Sequence, residues 1–372
     1  MRDQRLEKLA RLLVNYSTGV KKGDKVSIKA EDIALPFIIS VAREAIKAGA
    51  FVDYSVTVSE IEELILKLGN EEQLNKSNND YGQAVKESDV WITAWGSKNS
   101  RSKSNINPEL LKKRRLANSE ERKIYVNRTA NGELRWCGTQ FPTQAEAQEA
   151  NMSLEEYEDF VYKAGMLDKD DPVKEWQKVE KEQDKWVNYL NKKSMLRIVS
   201  NGTDILVGIK NRKWINCCGK ENFPDGEIFT SPEENNINGA ISFSYPAIYS
   251  GRMVEGVKLE VKDGKIINAR ADKGEDFLLA CINTDDGSKY FGEVAIGTNY
   301  NIKQFTRNIL FDEKIGGTIH MAIGCSMPEA GGKNISAIHW DMICNMMDSG
   351  KIFADGELFY KNGKFLDSVL KK

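Results

Sequence analysis

Two histidines, His320 and His339, are the only imidazoles in this chain of 372 residues, and they lie nineteen positions apart. His320 sits in Thr318-Ile319-His320-Met321-Ala322-Ile323-Gly324, and His339 in Ala337-Ile338-His339-Trp340-Asp341-Met342-Ile343. Both stretches read as buried strands. Side chains two apart on a strand share a face, so His339 and Asp341 project together while Ile338, Trp340 and Met342 turn away. A neutral imidazole beside a carboxylate on an apolar strand is a metal-ligand pair. Residue types alone therefore nominate a two-histidine, one-carboxylate site from His320, His339 and Asp341. A strand histidine also serves as a hydrogen-bonded core residue, and spacing leaves both readings open.

Spacing does not choose further ligands from the 55 acidic residues. Gly-Glu dipeptides begin at Gly132, Gly226, Gly274, Gly292 and Gly356, so that pattern does not select. H-E-x-x-H is absent, which excludes a helical zincin site. Neither G-x-G-x-x-G nor a phosphate-binding P-loop occurs, and Gly331-Gly332-Lys333 lacks the flanking residues of one.

The elements that must position these residues fall into two textures. Leu6, Leu9, Ala10 and Leu13 recur at helical spacing. Strands are then expected at Lys25–Lys29, Phe51–Val56, Val90–Trp95 and Lys123–Val126, with helices between, including one from Pro36 to Ala48. Strands alternating with helices imply parallel β-α-β units in an open sheet over roughly the first 130 residues. Residues 151–193 read as a helical connector, opened by the capping box of Ser153 and Glu156. From Ser194 the chain turns to short strands separated by Asn201-Gly202, Asp263-Gly264 and Asn362-Gly363, which are hairpin turn pairs. The expected organisation is an α/β N-terminal domain with its connector, residues 1–193. A β-rich α+β domain, residues 194–372, carries the metal-binding candidates.

Composition bounds the rest. Hydrophobic residues make up 41% and charged residues 29%, with a net charge of −2, so no global basic field draws the chain to nucleic acid or anionic lipid. The basic run Lys112-Lys113-Arg114-Arg115 falls in a helical stretch, Pro108 to Asn118, and reads as a solvated helix face. Met1 to Arg5 leads into no apolar segment and no membrane-spanning run appears, which predicts a cytoplasmic protein. The six cysteines (137, 217, 218, 281, 325 and 344) form no C-x-x-C pair and read as reduced, small apolar side chains.

Several motifs resemble the aminopeptidase T (thermophilic, leucyl-type) metallopeptidases, peptidase family M29, over essentially the whole chain. They are Leu6 to Val26, Leu134-Arg135-Trp136, Phe141 to Ala145, Asn151-Met152-Ser153 and Asp171-Pro172. The most specific are Pro224 to Pro232 (PDGEIFTSP), Phe291 to Ala295 (FGEVA), Phe311 to Gly324 (FDEKIGGTIHMAIG) and Ile338 to Met342 (IHWDM). The resemblance implies an aminopeptidase acting on peptides with a free N-terminus, as a homodimer, with two divalent ions (Zn, Co or Mn). Its metal ligands would be Glu227, Glu293, His320, His339 and Asp341. Asp341 is the expected bridging carboxylate, and Glu293 the candidate general base, with Glu233 and Glu234 as alternatives.

One position departs from the family. Its members place a tyrosine seven residues after the first histidine, as a donor to the tetrahedral intermediate; here that residue is Met327. A thioether cannot donate a hydrogen bond, so Lys333, Arg252 or Tyr245 is expected to substitute, or turnover to be slow. Two rival readings remain: a single-iron ring-cleaving dioxygenase on the same scaffold, using His320, His339 and Asp341, or a weakly active metal- or peptide-binding homologue.

Overall fold

The opening helical pattern closes as expected in the computed structural model, which describes residues 3–371. Leu6, Leu9 and Ala10 are buried on the helix Gln4–Leu12, and Leu13 just beyond it. Four parallel strands follow: β1 (Lys25–Glu31), β2 (Phe51–Thr57), β3 (Val90–Trp95) and β4 (Arg135–Gln140). Their order across the sheet is β2-β1-β3-β4, extended beside β4 by the short strand Asn222–Phe223. Helices such as Leu35–Lys47, which buries Phe37, Ile38 and Val41, cover the apolar side chains of the sheet.

The segment Lys123–Val126, expected as a strand, lies instead inside the helix Ser119–Ala130, and the fourth strand is β4. Ile124, Tyr125 and Val126 have high strand propensity, but such propensity yields to context. Glu120 and Glu121 occupy the first turn and Arg128 the last, which suits the helix dipole. Tyr125 then sets its ring 5.4 Å from Trp91 and 6.2 Å from Trp136. The basic run lies on the helix Pro108–Leu116, where Arg114 is ion-paired to Glu62 at 2.8 Å and Lys113 to Glu71.

The capping box is present, with Ser153 N–H donating to Glu156 (2.8 Å) and Glu156 N–H to Ser153 (3.2 Å). The chain divides into two compact units within the connector helix Pro172–Leu190. Residues through Glu175 and Gly219–Pro224 form one; Trp176–Cys218 and the chain from Asp225 onward form the other. The division falls earlier than 193/194 because Trp186, Val187 and Leu190 pack with Leu196, Ile198 and Trp214 in the second unit's core.

The second unit holds an eight-stranded and a five-stranded antiparallel sheet. Asn201-Gly202, Asp263-Gly264 and Asn362-Gly363 turn hairpins in the larger one. The smaller contains β5 (Glu227–Thr230), β6 (Phe291–Gly297), β7 (Thr318–Gly324) and β8 (His339–Asn345) in the order β8-β7-β6-β5, with Ile215–Cys217 beyond β5. Val294, Ile296, Ile319, Met321, Ile323, Trp340 and Met342 enter the core from its strands. By strand alternation the opposite face receives Glu293, His320, His339 and Asp341. No helix among the described residues is long and apolar enough to cross a membrane.

Candidate metal centre

The face of the small sheet turned from the core is laid out in rows by strand register. Glu293 on β6, Ala322 on β7 and Asp341 on β8 stand opposite one another. The next row joins Phe229, Ala295 and His320, and beyond it Glu227 faces Gly297. His339 faces Gly324 at the other end. Each acid or imidazole thus has a small residue for a neighbour, which lets carboxylates from separate strands lean together. Cross-strand neighbours sit close enough for such contacts.

The two site glutamates each follow a glycine that the local packing requires. A Cβ on Gly292 would lie 2.1 Å from the Cys325 carbonyl oxygen. Gly226 has φ +117° and a Cβ there would lie 2.8 Å from Asn299 Cβ. Gln183 of the connector helix places its Nε2 2.6 Å from the Glu227 carbonyl oxygen and 3.0 Å from that of Cys217, fixing the start of β5.

All five residues expected from the resemblance converge. His320 Nε2 is 3.3 Å from Glu227 Oε2 and 3.4 Å from Glu293 Oε1. His339 Nε2 is 3.3 Å from Glu293 Oε2 and 3.6 Å from Asp341 Oδ1. Glu293 therefore turns one oxygen to each histidine. His339 Nδ1 lies 2.8 Å from the Cys325 carbonyl; as donor there it leaves Nε2 free to face the carboxylates, the arrangement a metal-ligating imidazole uses.

Glu227 Oε2, Asp341 Oδ1 and His320 Nδ1 are buried without a hydrogen-bond partner. Orphaned buried polar atoms are rare in folded proteins. Oxygen and imidazole donors aimed at one another across 3.3–3.6 Å fit divalent transition ions by number and type.

Electrostatics point the same way. Burial alone disfavours the charged form of His320, but its hydrogen bond with Glu293 and the field of Glu227 outweigh this and raise its pKa to about 9. Burial of His339 is likewise outweighed, first by Asp341 and then by Glu293, and its pKa rises to about 12. Burial would raise Glu293, yet the hydrogen bonds with both histidines bring it below the usual carboxylate range. Glu227 is raised by burial, with Lys314 opposing. The cluster is a sink for positive charge.

Two charged residues that sequence reasoning left unassigned belong to this neighbourhood. Lys314 is 1% exposed, with Nζ 2.8 Å from Glu227 Oε1, 3.8 Å from Asp225 Oδ1 and ion-paired to Glu313. Burial works against its charge, but Glu227, Glu313 and Asp225 more than compensate. Glu313 stands with His320 and Asp341 in a further group of close potential ligands. Both lie in the FDEKIGGTIH motif, where the adjacent acid and base just ahead of His320 were the available signal.

The other candidates are engaged elsewhere. Glu234 pairs with Arg212 and accepts from the Lys333 N–H at 2.7 Å. Glu233 accepts from Asn236 Nδ2 at 2.8 Å. Arg252 lies over the Phe277 ring at 5.1 Å, and Tyr245 stacks on Phe305 at 5.5 Å. Lys333 is exposed. Met327 packs against the cluster of Phe229, Ala295 and Ala330, and its N–H donates to Ser231 Oγ at 2.9 Å.

Comparison with known proteins finds relatives over nearly the whole chain. Aminopeptidase AmpS of Bacillus subtilis is 26% identical, covering 97% of this chain and 98% of its own. Aminopeptidase T of Thermus thermophilus is 25% identical, covering 94% and 95%. The solved structure of wild-type AmpT from Thermus thermophilus superposes with a TM-score of 0.84 at 24% identity, over 98% of this chain and 99% of that one, which establishes the shared fold of a parallel α/β sheet followed by antiparallel sheets. The family described as thermophilic metalloprotease (M29) matches residues 2–365, and the chain belongs to that family.

Proposed function

We propose that this chain is a metallo-aminopeptidase that releases N-terminal residues from peptides, with two divalent ions (Zn, Co or Mn) held by Glu227, Glu293, His320, His339 and Asp341. The observation that carries the reading is the placement of Glu293, whose two oxygens face two different histidines at 3.4 and 3.3 Å. That geometry makes Glu293, rather than Asp341, the carboxylate suited to lie between two ions. The aminopeptidase reading is supported by the family and by the relatives AmpS and aminopeptidase T, both named aminopeptidases.

A pair of divalent ions, when bound, supplies a water made nucleophilic near neutral pH and a Lewis acid for the scissile carbonyl. The chain's own groups do the remaining work. With both oxygens of Glu293 engaged, we assign proton transfer to Glu313, whose carboxylate burial raises toward the protonated form. A carboxylate with raised proton affinity is suited to that task. Lys314 holds Glu227 from the side away from His320, one oxygen to each. Met327 supplies packing and no hydrogen bond to a developing oxyanion, so the reading includes slow turnover. Substrates are peptides with a free N-terminus, and the assembly is a homodimer, which light scattering tests.

Glu227→Gln, assayed for metal content by ICP-MS and for release from aminoacyl-p-nitroanilides with added Zn, Co or Mn, tests the function. Loss of both metal and hydrolysis is expected. One tightly held iron per wild-type chain would sink the peptidase reading in favour of a dioxygenase. Absence of any metal-dependent release by the wild type would point to an impaired homologue.

A further inference from the structure

The parallel sheet of the first unit has its topological switch between β1 and β3, where the chain leaves β1 for β2 on one side and continues to β3 on the other. Open α/β sheets bind ligands in the crevice outside the carboxyl ends of strands at such a point. A cavity of ≈ 600 Å³ lies there, lined by the last residues of β1 and β3 and by Thr57 at the end of β2. Its size is that of a small-molecule site. The sequence offers no glycine-rich phosphate loop, so no motif favours a nucleotide there.

The wall of the cavity is a chain of rings. Tyr81 and Trp91 have centroids 5.5 Å apart, Trp91 and Tyr125 5.4 Å, and Tyr125 and Trp136 6.2 Å. All four line the cavity. Trp91 Nε1 is buried with no hydrogen-bond partner, a donor without an acceptor.

The charged lining carries both signs. Lys29 and Arg122 are the cations, and among the described residues neither side chain makes an ion pair or hydrogen bond; it is the backbone N–H of Arg122 that donates to the Asn118 carbonyl. The Lys29 ammonium lies 5.8 Å from the Tyr81 ring centroid, and burial lowers its pKa, with Asp80 and Glu62 opposing. Arg122 acts electrostatically on both Tyr81 and Tyr125, so the cations share the tyrosine end. Glu31 and Glu146 are the carboxylates, close enough to influence one another. Glu31 Oε2 is buried and unpartnered; Glu146 accepts from Ser97 Oγ at 3.2 Å. Leaving buried polar atoms such as Trp91 Nε1 and Glu31 Oε2 unpaired is costly, and a lining that offers both cations and carboxylates beside a row of rings complements a molecule that carries both charges on an apolar body.

We propose that this cavity is a second ligand site that takes a small zwitterion with an aromatic or apolar body, namely a free α-amino acid or a dipeptide. The ligand's carboxylate meets Lys29, Arg122 and the Trp91 N–H, its ammonium meets Glu31 and Glu146, and its side chain lies on the rings. Rings favour such a body by area and by stacking. The assignment stands on the first unit alone and does not depend on the peptidase reading.

The test is isothermal titration of the full-length protein with L-tryptophan, tryptamine, which lacks the carboxylate, and indole-3-propionate, which lacks the ammonium. L-Tryptophan is expected to bind one per chain, and each analogue at least tenfold more weakly. Arg122 is exposed, so Arg122→Met leaves the fold intact; it and Lys29→Met should weaken L-tryptophan at least tenfold while leaving tryptamine unchanged. Glu31→Gln should do the reverse, weakening L-tryptophan and tryptamine but not indole-3-propionate. No binding at millimolar concentration, equal affinity for all three probes, or isotherms indifferent to these substitutions would overturn the proposal. The last outcome also identifies binding at any other place on the chain, including the metal centre, without reference to catalysis.

Discussion

Lys314 Nζ lies 2.8 Å from Glu227 Oε1, and both side chains are buried. A buried ammonium is tolerated because carboxylates surround it; removing one partner of such a pair leaves the other charge uncompensated. Lys314→Met is therefore expected to destabilise the metal-free protein by about 3–5 kcal/mol. Added divalent ion should restore part of the loss. Thermal melts of chelator-treated protein with and without Zn measure both, and an unchanged melting temperature would contradict the role.

Glu293 touches both histidines, whereas Asp341 lies near His339 alone of the two within 4 Å. Glu293→Gln is accordingly expected to reduce metal content at both positions, and Asp341→Asn to leave one ion per chain. ICP-MS on protein dialysed against trace metal distinguishes them. Equal stoichiometry in the two variants would return the bridging assignment to Asp341.

Met327 occupies the position where a hydroxyl donor is expected from the family resemblance. One oxyanion donor is worth on the order of 10²–10³ in rate. Met327→Tyr is predicted to raise kcat toward that range with little change in KM, because the donor acts on charge that develops after binding. Steady-state kinetics on a leucyl anilide decides, and a rise confined to KM would rule the donor role out.

His320 and His339 have pKa values raised from 6.5 to about 9 and about 12. Groups raised on folding contribute stability that is fully present below the unfolded value and is lost as pH climbs through the folded one. The metal-free protein should thus lose stability between pH 6.5 and 9 as His320 deprotonates, with the His339 share persisting to higher pH. A cation must displace those same protons, so its affinity grows over that window, by up to about tenfold per pH unit for each proton released. Melting curves from pH 6.5 to 9, with and without Zn, should diverge steadily; parallel curves would show that the histidines are not displaced.

The histidine strands were readable because imidazoles are scarce and the residues around them alternate. Glu227 and Glu293 were not readable from spacing, since five Gly-Glu pairs look alike until Cys325 and Asn299 are seen pressing on Gly292 and Gly226. Lys314 and Glu313 stayed hidden for a different reason. Composition counts 53 basic and 55 acidic residues, and the one mark on this pair, its place just ahead of His320, does not say that the lysine is buried. Tyr125 failed in the opposite sense: its local propensity for strand was real and was overruled by ring contacts with Trp91 and Trp136. The parallel β-α-β order and hairpin pairs survived because they depend on short-range chemistry. The connector's allegiance did not, because Trp186 chooses its core only after the sheets exist.

The five candidate ligands sit on four strands, and Glu227 and Asp341 are separated by 114 positions in the chain. Closing so long a loop delays the contact that it makes. During synthesis, Glu227 emerges well before either imidazole, and it lies with no histidine partner until β7 is in register. A nascent or unfolded chain therefore offers ions only scattered, weak donors. Under the proposed function, capture of a metal would wait for completion of the sheet, since only then do the five donors stand together.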